Sequence, residues 1–251
     1  MNYFQPNDLN SALDVLQNNS DLTIAAGCTD LFPITNNMSL DKNILDITNI
    51  KSIKGFQFNS KETKIGSATT WTDIINENLP SCYDMLKACA KEVGSIQIQN
   101  LGTIGGNICN ASPAADSIPC LLALDAKLEL SSANNQRIIP IDEFILGSRK
   151  TKLEQGEILT SIIIPKEKEK GSSSFRKIGA RKYLVISISM VACRILISDN
   201  VIEDIAISIG SCSEVAKRIF SIERQLINKN IKEDIFNQID FNKLCIKDNN
   251  D

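Results

Sequence analysis

The sequence contains no histidine. That removes Ser-His-Asp and Cys-His nucleophilic catalysis, zinc sites built on imidazole, and a flavin attached through a histidine ring. Its eight cysteines, Cys28, Cys82, Cys89, Cys109, Cys120, Cys193, Cys212 and Cys245, form no C-x-x-C pair. Thiols scattered this way argue against a disulfide framework and against iron–sulfur ligation, and fit a reducing compartment. No G-x-x-x-x-G-K-[ST] run is present, which excludes a P-loop, and no G-x-G-x-x-G run supports a Rossmann dinucleotide site. No apolar run is long enough for a membrane span. The opening MNYFQPNDLN has neither the basic start nor the apolar core of a secretory signal, so a cytoplasmic protein is expected. A formal net charge of −3 argues against nucleic acid as the main partner.

What is present is an ordinary soluble composition, 43% hydrophobic and 23% charged, in a chain of 251 residues. That length can hold one large domain or two to three small ones. The informative stretch is 100–116, NLGTIGGNICNASPAAD. Gly105 and Gly106 are adjacent, and a glycine pair lets backbone amides approach a ligand with no Cβ in the way. Thr103, Asn107, Asn110 and Ser112 add short polar side chains around them. Amides and hydroxyls clustered like this suit a diphosphate without any lysine. Asp116 adds a carboxylate able to accept from sugar or polyol hydroxyls. On the glycines alone, a Gly-rich turn between two strands is the competing reading. A cradle for phosphate without acid–base machinery suggests a cofactor that brings its own chemistry.

The run Thr103-Ile104-Gly105-Gly106-Asn107-Ile108-Cys109-Asn110-Ala111-Ser112-Pro113 through Asp116 resembles the T-I-G-G-N-I-x-N-A-S-P-x-x-D segment of one family. That family is the FAD-binding (medium) subunit of the xanthine dehydrogenase and carbon monoxide dehydrogenase group of molybdenum hydroxylases. Other segments resemble it too. Ala26, Gly27, Thr29, Asp30 and Leu31 match an A-G-G-T-D-L loop, with Cys28 where the second glycine is usual. A Cβ there narrows the backbone approach and disfavours positive φ. The phrase Ile65-Gly66-Ser67-Ala68-Thr69-Thr70 resembles an I-G-A-x-T-T strand. Gln99 replaces the arginine of a Q-I-R-N phrase. Leu153 with Gly156-Glu157-Ile158-Leu159 and Pro165 resembles an L-x-x-G-E-I-L…P boundary strand, and Lys177 and Arg181 match a K-x-G-x-R strand.

The resemblance implies an α+β fold: a two-lobed FAD-binding domain of the PCMH type, with lobes at 1–54 and 55–165. A shortened C-terminal flavoprotein domain of antiparallel sheet plus helices is expected at 175–251. It implies FAD held between two glycine loops by Ala26, Gly27, Cys28, Thr29, Asp30, Gly102, Thr103, Gly105, Gly106 and Asn107. Asn110, Ser112 and Asp116 would bond its polar edges, with Val93 and Leu153 as apolar neighbours and Lys177 at the pyrimidine edge. No catalytic residue and no metal ligand is implied. The implied partners are an iron–sulfur subunit and a molybdenum–pterin subunit, with NAD+ or another acceptor taking the electrons. The alternatives are a free-standing flavin oxidase of the same broad fold and an interaction module that has lost flavin.

Local patterns add element expectations. Leu9, Leu13 and Leu16 form a helical stripe capped by Asn7 or Asp8. A hairpin is expected over 55–67, with Trp71 as core or boundary packing. Helices are expected over 79–93, 118–124 and 210–227. The alternating segment 95–100 reads as a strand, and two long strands are expected over 186–197 and 202–209. The charged, Gly/Ser-rich 166–174 reads as a linker or flexible hairpin at a domain boundary. The tail 248–251 is expected to fray.

Overall fold

The computed structural model describes residues 2–33, 42–181, 184–232 and 235–240; the expected frayed tail lies outside them. The N-terminal part begins with β1 (Tyr3–Phe4) and α1 (Leu9–Asn18). Asp8 caps α1 by accepting from the Ser11 amide at 2.9 Å, and Ala12, Leu13 and Leu16 face inward. β2 (Leu22–Ala25) and β3 (Asn43–Asp46) join β1 in a parallel sheet ordered β1-β3-β2. In a parallel sheet the strand ends gather ligand loops at one edge, and here β2 runs straight into residues 26–30.

β4 (Phe56–Phe58) and β5 (Glu62–Gly66) form the expected hairpin. Five helices follow: α2 (Trp71–Asn76), α3 (Asp84–Glu92), α4 (Ile96–Leu101), α5 (Ile104–Asn110) and α6 (Ser117–Ala123). Thr70 and Asp73 close a capping box at the start of α2. Then come β6 (Lys127–Ser131), β7 (Gln136–Pro140), α7 (Ile141–Phe144), the small hairpin of β8 (Ile145–Gly147) and β9 (Lys150–Thr151), and β10 (Ile158–Pro165). These strands build an antiparallel sheet ordered β4-β5-β10-β6-β7. β10 sits at its centre and is buried from Ile158 to Ile164; its two polar residues, Thr160 and Ser161, are satisfied by bonds to Glu129.

β11 (Ser172–Gly179), β12 (Ser187–Ser198), β13 (Val201–Gly210) and β14 (Lys217–Arg218) form a second antiparallel sheet, followed by α8 (Phe220–Leu226). All seven residues of α6 are buried. Phe175, Met190, Ala192 and Ala206 of this sheet share one apolar core with α3, α6, β6 and β10. Burying a side chain such as Leu121 contributes about 1.5–3 kcal/mol, so the shared core ties the last sheet firmly to the rest.

Four element expectations are corrected. Residues 96–101 are helix, not strand: Gly94, at φ 56°, turns the chain after α3, and Ile98 packs beneath it. The glycine pair lies inside α5 rather than in a turn. The segment after Pro165 is ordered; a 3-10 turn spans Lys166–Lys168, and Lys166 Nζ bonds Glu169 at 2.8 Å. The C-terminal helix starts at Phe220, because residues 211–216 turn back and pair β14 with β13.

Candidate functional site

One cleft of about 500 Å³ lies where the β2 loop meets the α4–α5 connection. Its first wall is 26–30. Gly27 is required there by a crossing of backbones: a Cβ would lie 1.8 Å from the Leu101 carbonyl oxygen. Cys28 sits at φ 57°, the left-handed region that a glycine would occupy without cost. The amides of Gly27, Cys28, Thr29 and Asp30 have no protein acceptor among the described residues.

The second wall is α5, and its glycines differ from one another. Gly105 packs against the neighbouring chain, where a Cβ would lie 2.6 Å from the Ser67 carbonyl oxygen. Gly106 has no such reason. A Cβ there would meet only Thr103 Oγ1, at 3.0 Å, and the residue is exposed on the cleft wall. The amides at the start of this helix are already engaged. Ile104 N–H donates to Thr69 O at 3.0 Å, Gly105 N–H to Ser67 O at 2.8 Å and Gly106 N–H to Thr103 Oγ1 at 3.1 Å. The expected grip by the Gly105 and Gly106 amides is therefore corrected: those hydrogens serve the fold. Unengaged amides among the described lining residues include those of the first loop, from Gly27 to Asp30, and that of Thr103 beside α5.

Of the residues singled out from the sequence, Ala26, Gly27, Cys28, Thr29, Asp30, Val93, Gly102, Thr103, Gly105, Gly106, Asn107, Asn110 and Leu153 line this cleft. Ser112, Asp116 and Lys177 do not. Asp116 is instead buried in an ion pair. Lys177 Nζ lies 2.6 Å from its Oδ2, and Ser187 Oγ donates to its Oδ1 at 2.6 Å. These three side chains satisfy one another and fasten the C-terminal sheet to α6. Sequence reasoning missed Ile24, Ile47, Ile98, Ile158 and Leu159, which supply apolar lining, and the buried Ser67. Trp71 is both core, at 1% exposure, and lining.

Among the described lining residues Asp30 alone carries a formal charge, and no lysine or arginine contributes. Burial, then the Asp46 charge, pushes the Cys28 thiol up. Burial alone lifts the Cys109 thiol to about 12. Both are neutral at pH 7 and poor nucleophiles. Burial raises the Asp46 carboxyl, but bonds from Thr48, Tyr3 and Gln5 outweigh it and hold it below its ordinary value. The cleft thus offers backbone donors, small residues and apolar walls, with no acid–base pair.

Residues 1–167 match the family model described as the FAD-binding domain in molybdopterin dehydrogenase. The chain belongs to this family. It is 30% identical to the glyceraldehyde dehydrogenase medium chain of Sulfolobus acidocaldarius, over 94% of this chain and 84% of that protein. It is 34% identical to the xanthine dehydrogenase FAD-binding subunit of Escherichia coli O157:H7, over 76% of this chain and 66% of that subunit. Among solved structures it resembles the carbon monoxide dehydrogenase of Hydrogenophaga pseudoflava, at 25% identity and a TM-score of 0.83, over 94% of this chain and 83% of that one. The protein is therefore an FAD-binding oxidoreductase subunit of the molybdenum hydroxylase family. Its cleft fits an extended dinucleotide: the open direction at Gly106 is a space that a Cβ would fill, beside a loop with unengaged amides. No helix among the described residues is long and apolar enough to cross a membrane.

Proposed function

We propose that this subunit carries electrons within a larger complex, from iron–sulfur clusters in one partner subunit to NAD+ or another acceptor. A molybdenum–pterin subunit would oxidise the substrate. The names of the relatives, which act on an aldehyde, a purine and a pyridine carboxylate, support a complex of this kind. A xanthine- or purine-type substrate is the reading we favour for the complex. We propose lobes 1–54 and 55–165 and a C-terminal domain 175–251; three sheets follow one another along the chain in support of three units, although β11 of the last one already begins at Ser172.

Within this reading the residues have separate tasks. The unengaged amides from Gly27 to Asp30 hold the dinucleotide's diphosphate. Gly106 leaves room for it. Thr103 orders the start of α5 through its cap and so fixes the wall's shape. Ile24, Ile47, Ile98 and Leu153 exclude water from the flat parts of the ligand. Asn107 and Asn110 orient it by hydrogen bonds. FAD, when bound, supplies the redox chemistry, which is why the chain needs neither histidine nor a metal cluster.

The observation that carries this reading is the contrast at α5. Gly105 is a glycine for packing against backbone, whereas a Cβ at Gly106 would meet only Thr103 Oγ1, at 3.0 Å, and has a cleft in front of it. The test is flavin uptake by the apo-protein. Stoichiometric binding that is lost on filling Gly106 supports it; uptake indifferent to that position contradicts it.

A further inference from the structure

We infer that Arg149, which does not line the cleft, positions Asn110 so that its amide nitrogen faces the bound dinucleotide. This rests on the cofactor reading above. Arg149 lies in the tip of the β8–β9 hairpin. Its Nη1 donates to Asn110 Oδ1 and, at 3.5 Å, to the Asn110 carbonyl. A guanidinium has donors and no acceptor, so it engages only the oxygen edge of a carboxamide. The Asn110 side chain is thereby set in one of its two flips. Its Nδ2 is left as a donor with no protein acceptor among the described residues, on a residue that lines the cleft.

The backbone around this contact is unusual on both sides. Arg149 sits at φ 59° and Ala111 at φ 46°, and the Arg149 amide donates to Ala111 O at 2.8 Å. Glycine or asparagine would hold these left-handed positions at less cost. An arginine kept in that conformation, exposed and tied to a ligand-lining asparagine, points to its side chain as the reason. It is also a cation placed beside a cleft whose lining holds neither lysine nor arginine. The hairpin tip is anchored from behind, because Glu214 Oε1 accepts from the Ser148 amide at 3.3 Å.

The test is FAD titration of the full chain by fluorescence quenching, on wild type, Arg149→Gly, Arg149→Lys, Asn110→Ala and the double variant Arg149→Gly/Asn110→Ala. Thermal melts of the apo-proteins run alongside. Arg149→Gly should melt no lower than wild type, since the backbone is relieved, yet bind FAD about tenfold more weakly, the worth of one oriented hydrogen bond. Arg149→Lys should recover part of that loss, because an ammonium also faces only the oxygen. In the Asn110→Ala background, Arg149→Gly should cost nothing further. Wild-type binding with an unchanged Arg149→Gly constant overturns the inference. So does an additive loss in the double variant, which would mean that Arg149 contacts the ligand directly. Failure of wild type to bind FAD would instead bring down the cofactor reading itself, and this inference with it.

Discussion

Gly106→Ala separates a glycine kept for a ligand from a glycine kept for the fold. The residue lies at the third position of α5, and a Cβ there meets only Thr103 Oγ1, at 3.0 Å, a side chain that can shift by a few tenths of an ångström. Replacing glycine by alanine within a helix gains about 0.5–1 kcal/mol. For a chain of this size that raises the melting temperature by roughly 1–4 °C. The same Cβ projects toward the cleft, where a close-fitting ligand must move aside. Overfilling a packed site costs about 1–3 kcal/mol. The dissociation constant for FAD should therefore rise between about fivefold and a hundredfold. The assay is a flavin fluorescence titration of the apo-protein with a thermal melt on the same preparation. Stability up and affinity down is the expected pair. An alanine variant with the wild-type affinity, or one that loses both properties together, refutes the division of roles drawn between Gly105 and Gly106.

Gly27→Ala should behave in the opposite way, lowering stability and flavin content together in melts and absorbance spectra, because its Cβ would lie 1.8 Å from the Leu101 carbonyl oxygen. Cys28→Gly should raise stability by about 0.5–1 kcal/mol in denaturant titrations, since it removes a side chain from a left-handed position. The thiols can be ranked by alkylation and mass spectrometry at pH 8: the exposed Cys212 should react well before the half-buried Cys28 and Cys109, whose thiols desolvation keeps protonated. The Glu157 carboxyl is held below its ordinary value by the Arg137 guanidinium 2.7 Å away. A carboxyl depressed in the folded state stabilises above its unfolded value of 4.5 and loses that contribution as pH falls through the folded value. Melts of wild type and Arg137→Met should therefore differ most near neutrality and converge below pH 4.5.

Much of the cleft was legible because its residues carry chemistry in a fixed order. The two short polar, glycine-containing segments at 26–30 and 102–110 are far apart in sequence and face each other in the fold. Their conformation was harder to read. Gly-Gly argues for a turn on propensity alone, but Ile104 and Ile108 are spaced to bury one helical face, and Thr103 is a good cap. Tertiary packing of Gly105 against Ser67 then overrides the propensity. In 96–101 two isoleucines separated by one glutamine satisfy a strand period, and a six-residue window is too short to reject it. The parallel sheet rests on strands of two and four residues, which leave little periodic signal.

Asp116 and Lys177 illustrate a different limit. Residue type gave each a plausible role toward a ligand, but not their distance from each other. Sixty-one residues apart in the chain, they meet at 2.6 Å and satisfy one another. Apolar lining such as Ile47 and Ile158 was illegible for the complementary reason: an isoleucine that walls a cleft looks, in sequence, like one that fills a core.

The central claim is that the loop from Gly27 to Asp30, rather than the start of α5, presents the amides that hold the dinucleotide. Residue-resolved amide hydrogen exchange with and without FAD tests it directly. The account predicts that exchange slows on binding at Gly27, Cys28, Thr29 and Asp30, and changes little at Ile104 and Gly105, whose hydrogens are already bonded within the protein. Unaltered exchange across the first loop on a flavin-loaded protein would contradict it.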